Sequence, residues 1–360
     1  MAKKKKTSKK GKQPVSATKR WIVSLLLVIV VICGYTAYNY YQQIFGSNIS
    51  LGKKESVHFY IKSKDGFNEV VQSLYNQGYI LNKESFAWVA SQKKYTNNTK
   101  PGKYLLRNRM SNNDLINLLR SGNQAPVKVI FNNIRTMPDL AGKIATYLEQ
   151  DSLSFLAAFT DEQLADSLGF NLKTLPTIFI PNTYEFYWNT SPRMFINRMA
   201  KEYKSFWNDQ KKAAARKIGL SQSEISILAS IVKAETSKKD EAPRVAGVYM
   251  NRLKKGIALQ ADPTLIWAMN DFTITRVLNV HKKIDSPYNT YKFKGLPPGP
   301  INLPEPVYLN AVMNYEKHAF LYFCAKPDFS GYHAFASNYT KHLVNARRYQ
   351  KTLNDRKIFK

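Results

Sequence analysis

The sequence predicts an α+β protein: one N-terminal transmembrane helix, then a small βα subdomain, then a larger mixed α+β domain. Three observations carry this. No residue between Arg20 and Lys53 is charged, and the densest part of that run, WIVSLLLVIVVICGYTAY, has about the length a spanning helix needs. The alternation in VHFYIK reads as a strand, and the segments after it read as helices stopped by Gly78 and Gly122. Further on, Ser221 and Glu224 have the S-x-x-E spacing of a capping box, followed by apolar residues in helical period.

Residues 1–20 form a basic, low-complexity tail expected to lie in the cytoplasm. Residues 21–41 are the transmembrane helix, with Trp21 at one end and Tyr35, Tyr38, Tyr40 and Tyr41 at the other as interfacial belts. The positive-inside rule places everything beyond about residue 42 outside the cytoplasm, a single-pass protein of the plasma membrane. A cleaved signal peptide lacks its A-x-A site here, and Ile32 stands before Cys33 where a lipobox takes a small residue.

Residues 42–56 read as a linker and 57–125 as the small subdomain: strand VHFYIK, helices FNEVVQSLYNQG and SFAWVASQKK, strand PGKYLL and the capped helix SNNDLINLLRSG. Residues 126–360 form the larger domain. It opens with the strand VKVIF and a helix whose stripe is Met137, Leu140, Ile144 and Leu148. Tyr184, Phe186, Tyr187 and Trp188 suit either a core or the faces of sugars. Arg193 to Lys217 has a basic amphipathic helical pattern.

After the capping box, Ile225, Leu228, Ile231, Val232 and Glu235 fall at spacings of three and four, on one helical face. An acid there is out of place. Burial would raise its pKa, as a general acid requires; the plainer alternative is a solvent-facing carboxylate paired with Lys238 or Lys239. Asp240 can cap a second helix, with Pro243 in its first turn, Val245, Val248, Tyr249 and Leu253 as its buried stripe and Gly256 as its stop. The compact segment LQADPT follows.

Charge and cysteine content narrow the function classes. With 54 basic and 25 acidic residues the net charge is +29, and the tail supplies nine of those charges. Such an excess suits a polyanion or an anionic surface. No zinc-finger spacing, RNP motif or phosphate-binding loop supports nucleic acid as the partner. Two distant cysteines offer neither a disulfide framework nor a metal site.

The strings ASIVKAET, VAGVYMNRL and GIALQADPT closely resemble the core of the MltG/YceG family of membrane-anchored endolytic murein transglycosylases, whose typical form is ASIVEKET, VAGVFINRL and GM.LQTDPT. The resemblance continues through YNTYKFKGLPPGPINLP and GYHAFASNYTKH, and covers nearly everything after residue 55. It implies that residues 57–125 are a LysM-like subdomain, which either orients glycan or acts as a spacer, and that residues 126–360 are the catalytic domain. The family acid maps onto Glu235; an upstream family glutamate is Lys233 here. The family's PDTY motif has Asn182 in place of its aspartate. Gln260, Asp262, Asn289, Tyr291, Pro298, Gly299 and His333 map onto cleft positions, with a structural role equally open for His333.

A lytic transglycosylase works with one carboxyl group, since the muramyl C6 hydroxyl replaces the water that ordinary glycosidases activate with a second. The resemblance thus implies cleavage within nascent glycan strands, giving 1,6-anhydro ends, with no metal or cofactor. Peptidoglycan is the expected partner, cell-wall synthases a further one. Two alternatives stand beside this reading: a non-catalytic wall-binding scaffold, and a hydrolytic muramidase drawing on Glu185, Asp240, Glu241 or Asp262 as its second acid.

Overall fold

A computed structural model describes residues 17–356. Most of the basic tail lies outside the described residues; its last four are already helical, because α1 runs Ala17–Phe45. Helix α1 is long and apolar enough to cross a membrane, and none of its residues is buried. The chain divides into two compact units, one to Ala125 and one from Pro126.

In the first unit, β1 (Ser56–Ile61) leads through α2 (Phe67–Asn76) and α3 (Lys83–Gln92) to β2 (Gly102–Arg107), then α4 (Asn112–Ser121). The two strands pair antiparallel, with Phe59 opposite Tyr104. Period-two alternation turns Phe59, Ile61, Tyr104 and Leu106 inward against Val70, Leu74, Phe86, Leu115 and Leu119. Asn82 caps α3, and Ser111 with Asp114 makes a capping box for α4. Gly122 stops α4 at φ 74°, a left-handed conformation that suits glycine. Ile49 and Leu51, within the stretch read as a linker, are buried in this core. The end of α1 joins the same unit: Asn112 donates to the Gln43 carbonyl at 2.9 Å and Tyr40 stacks on Trp88.

The second unit opens with β3 (Val127–Phe131), which pairs antiparallel with β4 (Asn182–Phe186). Between them run α5 (Met137–Ala145), α6 (Ser152–Phe159), α7 (Glu162–Ser167) and a single 3₁₀ turn. Tyr184 and Phe186 belong to the core, while Tyr187 is exposed. The basic helical pattern from Arg193 to Lys217 is divided between two helices, α8 (Pro192–Phe206) and α9 (Asp209–Ile218), because Asn208 caps a new start by accepting from the Lys211 amide.

Helix α10 (Gln222–Glu235) is the centre of this unit. Its capping box forms as the spacing predicts: Ser221 accepts from the Glu224 amide, and Glu224 accepts from the Ser221 amide. Every residue from Ile225 to Val232 is buried, Ser226 and Ser230 included, so the helix is enclosed rather than amphipathic. Each buried Ile, Leu and Val side chain among them contributes ~1.5–3 kcal/mol. Helices α11 (Ala242–Lys254) and α13 (Pro306–Met313) flank it, and α12 (Asp262–Met269) lies between them in sequence. One expectation is corrected here. Asp240 does not cap α11: the cap position is Glu241, without a side-chain capping bond, and the Asp240 carboxylate accepts from the Tyr332 hydroxyl instead. The pair β5 (Tyr322–Ala325) and β6 (His333–Ala336), with α14 (Tyr339–Asp355), completes the unit.

The proline-rich loop is held to α10 by polar bonds that its own prolines cannot make. The Ile301 amide donates to Ser230 Oγ at 3.0 Å and Asn302 to the Ser230 carbonyl at 2.7 Å. Lys233 reaches Glu305 at 2.7 Å and the Leu303 carbonyl at 3.0 Å.

Candidate active site

Glu235 is the last residue of α10. The chain leaves the helix at Thr236, which is extended at φ −140° and whose hydroxyl donates to the buried Glu241 carboxylate. The Glu235 carboxyl is thereby left at a helix C-terminus, where the backbone dipole disfavours a negative charge. It is packed on most sides yet keeps an opening into a cavity of about 270 Å³. Neither Lys238 nor Lys239 pairs with it.

Helix α11 brings two further groups to this cavity. Its buried stripe carries Tyr249, whose hydroxyl donates to Glu235 Oε1 at 2.8 Å. One turn later the same face carries Arg252, only 6% exposed. Its guanidinium donates to the carbonyls of Leu321 (2.7 Å), Ala258 (3.0 Å) and Leu259 (2.9 Å) and to Gln260 Oε1 (3.2 Å). Its flat face lies over Tyr322. A buried cation is tolerable here because carbonyl dipoles replace its hydration.

These surroundings set the charge state of Glu235. Burial, the largest cause, raises its pKa from 4.5 to about 7, with the nearby Asp262 charge adding to the rise. The Tyr249 hydrogen bond and the Arg252 charge oppose it. At neutral pH a large share of Glu235 therefore carries a proton.

The opposite wall comes from the segment before α12. Gln260 sits at φ 52°, a left-handed conformation that costs a non-glycine residue ~1–3 kcal/mol. Its neighbours hold it there. The Gln260 amide donates to the Thr290 carbonyl, the Ala261 amide to the Thr290 hydroxyl, and Thr264 and Thr290 bond at 2.8 Å in the core. Asp262 then opens α12, where an acid suits the helix N-terminus, and accepts the Tyr291 hydroxyl.

Of the residues singled out in the sequence, Glu235, Gln260, Asp262 and Tyr291 line this cavity. The others do not. Asn289 is fully buried beneath it, donating to the carbonyls of Lys282 and Ile284 and accepting from the amides of Tyr291 and Lys292; it shapes the loop that presents Tyr291. Pro298 is half-buried in the proline-rich loop. Gly299 is packed so tightly that a Cβ would come 2.2 Å from the Lys173 carbonyl oxygen. His333 bonds through Nδ1 to Glu241 at 2.7 Å. Asn182 is exposed at the start of β4, paired in register with Phe131.

Tyr249, Arg252, Tyr322 and His342 belong to the cavity and were not singled out as site residues. Arg252 had a signal of the same kind as Glu235: a charge in step with the buried stripe of its helix. His342 closes the GYHAFASNYTKH stretch; its ring stacks on Tyr322 and its pKa is lowered by burial and by the Arg252 charge. Among the described residues no three His, Cys, Asp or Glu side chains gather as a metal site.

A profile of the YceG-like family matches residues 59–348, reaching into both compact units and taking in every cavity residue named above. The chain belongs to the YceG-like family. It is 33% identical over 200 residues to the endolytic murein transglycosylase of Bacillus subtilis strain 168, across 55% of this chain and 54% of that one. It is 25% identical over 350 residues to the endolytic murein transglycosylase of Streptococcus pneumoniae serotype 2, across 86% of this chain and 62% of that one. The chain thus spans between about half and three-fifths of the length of these relatives. A crystal structure of a YceG-like protein from Listeria monocytogenes superposes with a TM-score of 0.54 at 25% identity, covering 81% of this chain and 99% of that one. The α+β architecture is therefore that of the family.

Proposed function

We propose that this YceG-like chain is an endolytic peptidoglycan lytic transglycosylase, a lyase held at the plasma membrane by α1 with its second unit outside the cytoplasm. The observation that carries the proposal is one carboxyl group, Glu235, held by Tyr249 at the wall of a polar cavity, with a pKa that burial raises to about 7. The relatives named as murein transglycosylases support the substrate class.

Tyr249 occupies Oε1, so the transferable proton belongs on Oε2. Glu235 gives that proton to the oxygen joining N-acetylmuramic acid to N-acetylglucosamine, and the bond from C1 to that oxygen breaks. The C6 hydroxyl of the muramyl residue attacks its own C1, and the Glu235 carboxylate takes up the hydroxyl proton. The product is a 1,6-anhydromuramyl end, and the acid is regenerated. Internal attack needs no activated water, and positioning supplies what a second catalytic carboxylate would otherwise contribute. Arg252, Gln260 and Tyr291 shape the pocket, with polar groups suited to sugar hydroxyls.

A second reading rests on Asp262, which lines the same cavity. A muramidase would use it to activate water. Reducing-end analysis of glycan digested by the full chain separates the readings. Anhydro ends are expected; free reducing ends would establish the muramidase, and no new ends a scaffold.

A further inference from the structure

Two hollows that share lining residues form a longer groove near the Glu235 cavity. Ala234 and Pro263, each next in sequence to a cavity residue, line a hollow of about 410 Å³ with Arg135, Trp267 and Phe272. Those last three, with Asn302, also line a hollow of about 660 Å³ that reaches Lys173 and Tyr288.

The chemistry of this groove is specific. Its aromatic rings lean on one another: Trp267 meets Phe272 at 46° and Tyr288 at 50°, with centroids about 6 Å apart. Arg135 lies 4.4 Å above the Phe272 centroid and covers its face. Rings packed this way offer little flat surface for a sugar, but they form an irregular apolar wall for small side chains. Arg135 is exposed, and among the described residues neither it nor Lys173 forms an ion pair. The one acid on the lining, Asp139, is engaged at the start of α5, accepting from the Thr136 amide at 2.9 Å. Lys233, on the lining of the first hollow, is held by Glu305. What remains is an apolar trough with an unpaired guanidinium fork, the geometry that recognises a carboxylate.

We propose that this groove binds the acidic peptide carried by the sugar beside the scissile bond, with Arg135 holding a peptide carboxylate and Trp267 and Tyr288 packing its apolar side chains. The assignment rests on the glycan-cleaving reading of the Glu235 cavity. It makes the peptide substituent a recognition element, so glycan stripped of peptide is the poorer ligand.

The test uses the full chain carrying Glu235→Gln, so that ligand is not consumed, titrated calorimetrically with a peptide-bearing glycan tetrasaccharide and with the same tetrasaccharide freed of peptide. The peptide-bearing form is expected to bind about tenfold more tightly, the scale of a charge-assisted hydrogen-bonded pair. Adding Arg135→Ala, an exposed change that leaves the core intact, should lower its affinity to that of the stripped form. Lys128→Ala, which removes an equal charge from the exposed face of β3, should keep the preference. Equal affinity for the two ligands in the parent, a preference that survives Arg135→Ala, or one that Lys128→Ala abolishes equally would overturn the groove assignment. Each of those results leaves glycan binding, and so the cleavage reading, in place. Failure of both ligands to bind would overturn that reading and the groove assignment with it.

Discussion

Tyr249 donates its hydroxyl hydrogen to Glu235 across 14 positions of sequence, at 2.8 Å. The bond does two things. It fixes which carboxyl oxygen is free, and it holds down a pKa that burial alone would push higher.

Glu235→Gln keeps the shape and removes the titrating proton. Formation of anhydro ends should fall by ~10²–10⁴-fold, the usual cost of losing a general acid–base group. For the wild type, kcat should decline as pH rises through about 7, because the acid must be protonated for the first step. Stability carries the same signature. Between pH 4.5 and about 7 the unfolded chain loses this proton while the folded chain keeps it, so folding stability falls as pH rises through that window. The raised pKa corresponds to on the order of 3 kcal/mol. Denaturant unfolding should find wild type and variant similar at pH 4, and the glutamine form more stable by roughly that amount at pH 8.

Tyr249→Phe removes the hydrogen bond that lowers the Glu235 pKa. The basic limb of the pH–rate profile should move to higher pH, opposite to a shift expected from opening the site to water. At pH 7 turnover should drop about tenfold as the carboxyl loses its orientation, with ~1 kcal/mol of stability lost. A basic limb that does not move would show that the phenol leaves the acid untuned.

Arg252→Lys should not rescue the structure. An ammonium is a compact point charge and cannot span Leu321, Ala258, Leu259 and Gln260 together. Buried carbonyls left without donors should cost ~2–4 kcal/mol in all, read as a lower urea midpoint.

Lys233→Glu sets two acids face to face on a largely buried contact with Glu305. The loss should be roughly 2–3 kcal/mol, somewhat below that of a fully buried pair. Combining it with Glu305→Lys restores opposite charges, and the cycle should recover at least ~1 kcal/mol. Additive single effects would show that the Lys233–Glu305 pair does not couple the loop to α10.

Gly299→Ala places a methyl group against the Lys173 carbonyl and the Tyr288 hydroxyl. Overpacking should cost ~1–3 kcal/mol in thermal unfolding, through the proline-rich loop rather than through the Glu235 cavity.

Much of the architecture was legible because its causes are local. The Ser221–Glu224 box, the Ser111 cap and the alternation in β1 involve groups a few residues apart, and each formed as read. Legibility failed where two local solutions competed. Asp240 has the side chain of a cap, yet its neighbour Glu241 took the position while Tyr332, far along the chain, claimed the Asp240 carboxylate. The Arg193–Lys217 pattern kept its helical period across Asn208, and only the formed cap shows the break.

Sequence alone determined that an apolar segment precedes the two compact units, that Ser221 caps α10, and that an acid ends its buried face. Its motifs also marked Gln260, Asp262 and Tyr291 as belonging with that acid. Tertiary structure decided the rest: that Tyr249 holds the acid, that Arg252 ties the cavity wall to β5, that α14 brings in His342, and that Asn289 and Gly299 are buried off the cavity lining. The physical reason is range. Capping bonds and periodicity act within a turn or two of helix, whereas the desolvation that raises the Glu235 pKa is summed over atoms from α11, α12 and the loops around them, which meet only once the core has packed.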